Sequence, residues 1–408
     1  MANIKPFKAL RPKTELASKL ASKPYDVLNS VEAREEAKGN EYSFLHITKS
    51  EIDLPIDIDT HSQQVYDKAK ENLDSFQAKG FLFQDSSPCY YIYQLIMNGK
   101  SQTGLVCVSS VDDYENDIIK KHELTRPDKE LDRITHMKTI GAQTGNVFLT
   151  YKTNERLNKE IEDWKASHHP TYDFVAEDGV KHMVWVVNDE ATNQRITNYF
   201  EETVPNTYIA DGHHRAASAA KVRKALGEDA SEESNYFLTT LFPDNQLRIF
   251  DYNRVVKDLN GMSEEDFLRS LEHDFFVGKV DKAFLPSQFH QFGMYLNGSW
   301  YTLIAREGSY ENDPIGVLDV SILQKNVLDK LLAIKDVRTD KRIDFVGGIR
   351  GLGELEKRVD SGEMKVAFSL YPVSMQQLID IADSGSIMPP KSTWFEPKLR
   401  DGLLTHLI

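Results

Sequence analysis

Between Tyr208 and Ala220 the chain reads YIADGHHRAASAA. An apolar stretch of strand type leads into Asp211-Gly212-His213-His214-Arg215, and an alanine-rich run of helix formers follows. With a strand up to Ala210 and a helix from Ala216 to Leu226, Gly212 to Arg215 form the first turn. Backbone N–H groups there lack intrahelical partners, and the positive end of the helix dipole faces outward. The chemistry this suits is anion binding. Gly212 lets a phosphate approach the backbone, Arg215 can grip two oxygens in a fork, and His213 or His214 can donate hydrogen bonds as charge builds in a transition state. Asp211 asks for more than an anion, because a carboxylate beside phosphates holds a metal ion or takes a proton from an attacking group. Zinc is the weaker alternative, since adjacent histidines on a helix point about a hundred degrees apart and would not share one ion. A polar helix cap with one histidine against the core is the third reading.

Two other stretches carry charge in suggestive patterns. In HELTRPDKELDR, from His122 to Arg133, Pro127 opens a helix that Asp128 can cap, and Glu130 stands three residues before Arg133, a spacing that permits an ion pair. Around that turn Glu123, Arg126, Lys129 and Arg133 present both signs of charge to a nucleotide or a zwitterion, although a solvated helix start explains the same residues. In MPPKSTWFEPKL, near the C-terminus, prolines force an extended segment that offers Lys391, Ser392 and Thr393 in a loop, with Lys391 a point charge suited to phosphate. The glycine turn GGIRGLGELEKRV at 347–359 lacks the order and the Gly-Lys-Ser/Thr ending of a P-loop.

The elements that must hold these residues are of mixed type. Asn98-Gly99, Asp178-Gly179 and Asn297-Gly298 each separate two β-type runs and read as hairpin turns. Helices are expected over Thr60–Lys79, after Asn154, after Ser263 through Phe276, over LDVSILQKNVLDKLL and over SMQQLIDIADSG. The fold class is therefore mixed α/β (α+β) with mixed and antiparallel sheets. A length of 408 residues exceeds the roughly 250–300 that one core supports. Three units are expected: 1–115, 116–260 with the DGHHR motif, and 261–408 with the MPPKST loop. A formal charge of −14 disfavours nucleic acid and anionic membranes as partners. No run of about 18 apolar residues suggests a membrane span, and the expected compartment is the cytoplasm. Cys89 and Cys107 lie in apolar runs and read as buried thiols. Edge strands of the hairpins leave room for a homodimer.

Six stretches in this order, PFKALRP, KPYDVLNSVEAR, NEYSFLHI, HELTRPDKELDR, YIADGHHRAASAA and MPPKSTWFEPKLRDGLL, resemble the family known as domain of unknown function 1015. The D-G-H-H-R segment is also similar to the active-site element of the ParB and sulfiredoxin-like superfamily, which includes kinases acting on free L-serine. The resemblance implies a ParB-like core, a nucleotide (ATP or ADP) bound with Mg²⁺ near Asp211 to Arg215, and O-phospho-L-serine as product. In that reading Asp211 is a metal ligand or the base, with Glu123 or Asp26 the other candidate acids. Arg126, Lys129 and Arg133 then clamp phosphates or the amino acid carboxylate, and Lys391 closes over the nucleotide. A non-catalytic nucleotide-binding or regulatory protein of the same fold is the alternative.

Overall fold

The computed structural model describes residues 1–125 and 127–408, with the backbone only at Asp128. The chain packs as two units, one of residues 1–247 together with 397–408 and one of residues 248–396.

The first unit is built on a nine-stranded mixed sheet. Its strands are β1 (Ile4–Lys5), β2 (Tyr90–Met97), β3 (Lys100–Ser110), β4 (Ile119–Lys120), β5 (Val147–Tyr151), β6 (Tyr172–Val175), β7 (Lys181–Val187), β8 (Thr207–Asp211) and β9 (Tyr236–Pro243). Across the sheet they run β4-β8-β5-β9-β3-β2-β7-β6, with β1 against β3. β8 lies parallel to β4 and β9 parallel to β5; the remaining pairs are antiparallel. At Asn98 and Gly99, φ is +51° and +74°, the left-handed pair that a two-residue hairpin of matching twist requires.

Its longer helices are α1 (Gln63–Ala78), α2 (Pro127–Ile140), α3 (Glu155–Ser167), α4 (Glu190–Thr203) and α5 (His213–Leu226). Asn154 caps α3 by accepting from the N–H groups of Arg156 and Leu157. One turn apart, Leu157, Ile161 and Trp164 of α3, then Ile196 and Phe200 of α4, enter one core with Val147, Leu149 and Ile209 of the sheet. α5 is buried nearly all round, which its alanines allow: Ala216, Ala219 and Ala220 meet that core, while the Ser218 hydroxyl donates to the Glu130 carbonyl of α2. The last twelve residues then return to this unit. Asp401 exchanges both backbone hydrogen bonds with Ser22 (2.9 and 3.1 Å), Thr405 does the same with Leu10 (2.9 Å each), and His406–Leu407 pair with Ala142–Gln143.

The second unit holds a six-stranded, wholly antiparallel sheet of β10 (Tyr252–Val256), β11 (Phe275–Val280), β12 (Gln291–Leu296), β13 (Ser299–Ala305), β14 (Ile343–Gly347) and β15 (Val366–Leu370), in the order β11-β13-β12-β15-β10-β14. α6 (Glu264–Leu271), α7 (Leu352–Asp360) and α8 (Met375–Asp383) accompany it. Leu355 and Val359 of α7 pack on Val255, Val346 and Ala367.

The mixed α/β class holds, and two local expectations need correction. The helix after Ser263 ends at Leu271, because Phe275 and Phe276 are taken up by pairing with Ala305 and Ile304 of β13. In LDVSILQKNVLDKLL, the α-helix covers only Asp319–Leu323 and widens into a π-helical stretch at Gln324–Asp329. α4 carries no expectation from the sequence, although Asp189 caps it through the Thr192 N–H. Both cysteines are buried and free. Among the described residues no helix is long and apolar enough to cross a membrane.

Two glycines give opposite forecasts. A Cβ at Gly104 in β3 would lie 2.7 Å from both Phe242 and Thr240, whereas one at Gly353 in α7 would meet nothing within 4 Å. Gly104→Ala is expected to cost about 1–3 kcal/mol by overpacking, and Gly353→Ala to gain roughly 0.5–1 kcal/mol by restricting the unfolded chain. Chemical denaturation of the two variants checks this, and shifts of the same sign would refute it.

Candidate functional site

The motif occupies the end of β8 and the start of α5. Register slips between Ile209 and Asp211 against β5, a bulge that re-aims the last residue of the strand. Gly212 follows with φ +100°, a conformation that strains any side chain, and a Cβ there would also stand 3.3 Å from the Val147 Cα, a tight contact. α5 starts at His213 with no side chain capping its first turn. The N–H groups of that first turn lack intrahelical partners, as at any helix start.

Arg215 turns inward and is buried. Nη1 donates to the Asn146 carbonyl (2.6 Å), and Nη2 donates to Asp26 Oδ2 (2.7 Å). Its fork is thus filled by the protein, with Asp26 itself half-exposed. Gly145 gives the guanidinium room, since a Cβ there would lie 3.3 Å from Arg215 Cδ and 3.8 Å from Asp401 Oδ1. Asp401 is buried in this cluster and accepts from the Tyr25 N–H. Burial pushes its carboxyl up to about 7, against the pull of the Arg215 charge.

Asp211 has the opposite environment. Lys398 Nζ lies 3.3 Å from Asp211 Oδ2. Burial alone would raise this carboxyl, but the charges of Lys398 and Arg215 and the Lys398 hydrogen bond outweigh it and hold it well below the carboxylate range. Asp211 is therefore a permanent anion. Lys398 has no counterpart among the residues expected from the sequence. The run FEPKLRDG that contains it was legible as polar, but nothing local ties it to a motif 187 positions earlier.

The histidines divide. His213 is buried, its ring edge-on to that of His122 (centroids 4.5 Å, 83°). The His122 N–H points to His213 Nε2 at 3.5 Å, and His213 Nδ1 is 3.8 Å from Glu123 Oε2. Burial first, then the neighbouring ring, holds His213 well below the usual imidazole value, and burial brings His122 to about 4, so both are neutral near pH 7. This is the arrangement of a histidine against the core. His214 is half-buried. Among the described residues no group of three or more His, Cys, Asp or Glu is placed to hold a metal.

The remaining expected residues scatter. Glu123 is half-exposed beside His213. Arg133 does not pair with Glu130. It bonds to Asp132 (2.9 and 2.7 Å) and stacks over the Tyr25 ring at 3.9 Å, while Glu130 is drawn to Lys221 because α5 packs along that face of α2. Lys129 is exposed. Arg126 and the capping side chain of Asp128 lie outside the described residues. Lys391, Ser392 and Thr393 belong to the second unit. There Lys391 adopts φ +60° with its carbonyl accepting from Arg254, Ser392 donates to the Pro389 carbonyl (2.6 Å), and Thr393 is half-buried.

The Asp401 environment has a pH signature. A free aspartate titrates near ~3.9, and in the fold this one does so at about 7. The protonated form is therefore the one the fold favours. Its contribution to stability is complete below pH ~4 and is lost as pH rises through about 7. Asp401→Asn removes that loss, so the Tm of the variant relative to the unaltered protein is expected to climb between pH 4 and 7 and then level off. A Tm difference that does not change with pH would contradict the assignment.

No curated protein matches the chain. Among solved structures, a conserved hypothetical protein from Pyrococcus furiosus is 13% identical with a TM-score of 0.37, covering 76% of this chain and 96% of that one. A free serine kinase in complex with AMP is 12% identical with a TM-score of 0.38, covering 74% and 91%. SbnI with a C-terminal truncation, from Staphylococcus aureus, is 12% identical with a TM-score of 0.33, covering 74% and 87%. Residues 4–321 match the family described as "Protein of unknown function (DUF1015)", and the protein belongs to that family.

Proposed function

We propose that the protein is a small-molecule kinase that transfers the terminal phosphoryl group of a nucleotide, ATP or ADP, to the hydroxyl of free L-serine. The observation that carries this reading is the left-handed Gly212 turn. It sets the start of α5, whose N-cap glycine brings no side chain of its own, beside a permanently ionised Asp211, with Lys398 on the same carboxylate. A bare anion cradle would gain nothing from a fixed negative charge, whereas phosphoryl transfer needs one to hold a cation. The serine acceptor comes from the sequence resemblance.

Roles follow from the local chemistry. The N–H groups at the start of α5 take phosphate oxygens, and Lys398 Nζ supplies a positive charge on Asp211. Arg215, with its fork occupied, acts through its charge and by fixing the Asp26 segment. Asp211 is too weak a base to take a proton from serine. It suits Mg²⁺, which usually takes one or two carboxylates and completes its shell with phosphate oxygens and water. Bound there, Mg²⁺ would neutralise charge on the phosphates. To Glu123, half-exposed and 3.8 Å from the neutral His213 imidazole, we assign the acceptance of the proton. In the transfer the serine oxygen bonds to phosphorus as the bond to the leaving phosphate oxygen breaks, and the hydroxyl proton passes to Glu123.

The test is incubation of the purified protein with Mg²⁺, ATP or ADP, and a panel of amino acids, with products read by mass spectrometry. A serine-dependent phosphorylated product is expected with one of the nucleotides, lost on chelation and restored by Mg²⁺. Asp211→Asn and Lys398→Gln are expected to lower kcat by roughly a hundredfold or more while leaving the circular dichroism unchanged. Tight nucleotide binding without turnover would replace the kinase by a regulatory protein.

A further inference from the structure

At one edge of the second unit's sheet lies β11, whose outer side meets no other strand among the described residues. Natural proteins commonly keep such edges short, kinked or heavily charged, which stops them from templating another chain. β11 departs from that pattern. Its 6 residues, FFVGKV, make the longest edge strand of either sheet, pair with β13 in unbroken register and carry one charge, Lys279.

The hydrogen-bond phase of the strand is fixed at its start. The Arg306 N–H donates to the Asp274 carbonyl (2.9 Å), while the Ala305 N–H turns the other way, to the His290 carbonyl at the β12 side (3.0 Å). Antiparallel ladders alternate, so Phe276, Gly278 and Val280 spend their N–H and C=O groups on β13. Those of Phe275, Val277 and Lys279 point off the edge, and no backbone group outside the ladder takes them up among the described residues.

Side chains add two further features. On one face Phe276 lies opposite Ile304, and these apolar residues are 56% and 42% exposed. Two positions on, Gly278 leaves the same face bare, because a Cβ there would stand 3.1 Å from Thr302 Oγ1. The ends of the strand also differ in charge. Glu272, in the turn before it, and Lys279 and Lys282, at the far end, are exposed and without ion-pair partners among the described residues. Asp274 is already paired with Lys330 (2.6 Å), and Asp281 leaves the far end with one net positive charge.

We infer that β11 is a self-association edge, which pairs antiparallel with β11 of a second copy of this chain about a two-fold axis through Val277. In this register Val277 meets Val277, and Phe275 meets Lys279 on either side of the axis. Each of these pairs exchanges two hydrogen bonds, so every outward group is used. Between them Phe276 stands across from Gly278 of the second copy, where the exposed ring covers the bare position and extends the apolar row begun by Ile304. The Glu272 end of each strand comes beside the lysine end of the other, whereas parallel pairing would bring like ends together. The contact is isologous and closes at two copies, because β11 has no second open side.

Sedimentation equilibrium of the full chain at micromolar to submillimolar concentration tests this, and a monomer–dimer equilibrium is expected. Val277→Pro removes an outward N–H that lies outside the β13 ladder and is expected to weaken the dimer about tenfold to a hundredfold. Should circular dichroism show that this variant does not fold, Lys279→Pro removes another outward N–H nearer the strand end. Val277→Cys places two thiols across the axis with Cα atoms about 5.5 Å apart, within disulfide reach, whereas Lys279→Cys sets them about 14 Å apart. With oxidised glutathione the first is expected to form a covalent dimer and the second to stay uncrosslinked, the native Cys89 and Cys107 being buried. A chain that stays monomeric throughout, a dimer undiminished in a folded proline variant, or cross-linking of Lys279→Cys in preference to Val277→Cys would each overturn the inference.

Discussion

A buried guanidinium must be paired, and at Arg215 that requirement draws four distant parts of the chain together. Leaving such a charge unpaired costs several kcal/mol, so the fold brings it the Asp26 carboxylate from the N-terminal segment and the Asn146 carbonyl from the lead-in to β5. Gly145 and Gly212 both lack the side chain that would crowd it. Asp401 arrives with the returning C-terminal segment and sits in the same cluster. The turn after β8 is held in its left-handed shape between these contacts and the Val147 backbone.

Around this anchor the electrostatics separate by position. Asp211 and Asp401 are both close to Arg215, yet one is held ionised and the other is pushed towards neutrality. Lys398 supplies the difference, because it touches Asp211, whereas Asp401 must share the Arg215 charge with Asp26. Two buried imidazoles, His122 and His213, stay neutral and pack edge to face, which gives α5 a rigid start. The chemistry of the turn thus rests on fixed charges and backbone N–H groups more than on the histidine pair that is most conspicuous in the sequence.

Local signals in the sequence carried well. Asn98-Gly99 and Asn297-Gly298 form left-handed hairpin turns, Asn154 and Ser263 cap their helices, and the strand-glycine-helix order at Asp211-Gly212-His213 is as the residue types require. What stayed hidden depends on tertiary packing. The Lys398–Asp211 contact spans 187 positions and needs the C-terminal segment to fold back on the first unit. Helical spacing suggested a Glu130–Arg133 pair, but α5 and Tyr25 offer each residue a better partner.

The central claim is that phosphate oxygens dock on the first turn of α5 beside Asp211. A crystal structure of the protein with Mg²⁺ and a non-hydrolysable ATP analogue tests it most directly. The account predicts the terminal phosphate within about 3 Å of backbone N–H groups at Gly212 to His214, with Lys398 turned towards it. A nucleotide whose phosphates lie away from that turn, with Lys398 still on Asp211, would contradict it.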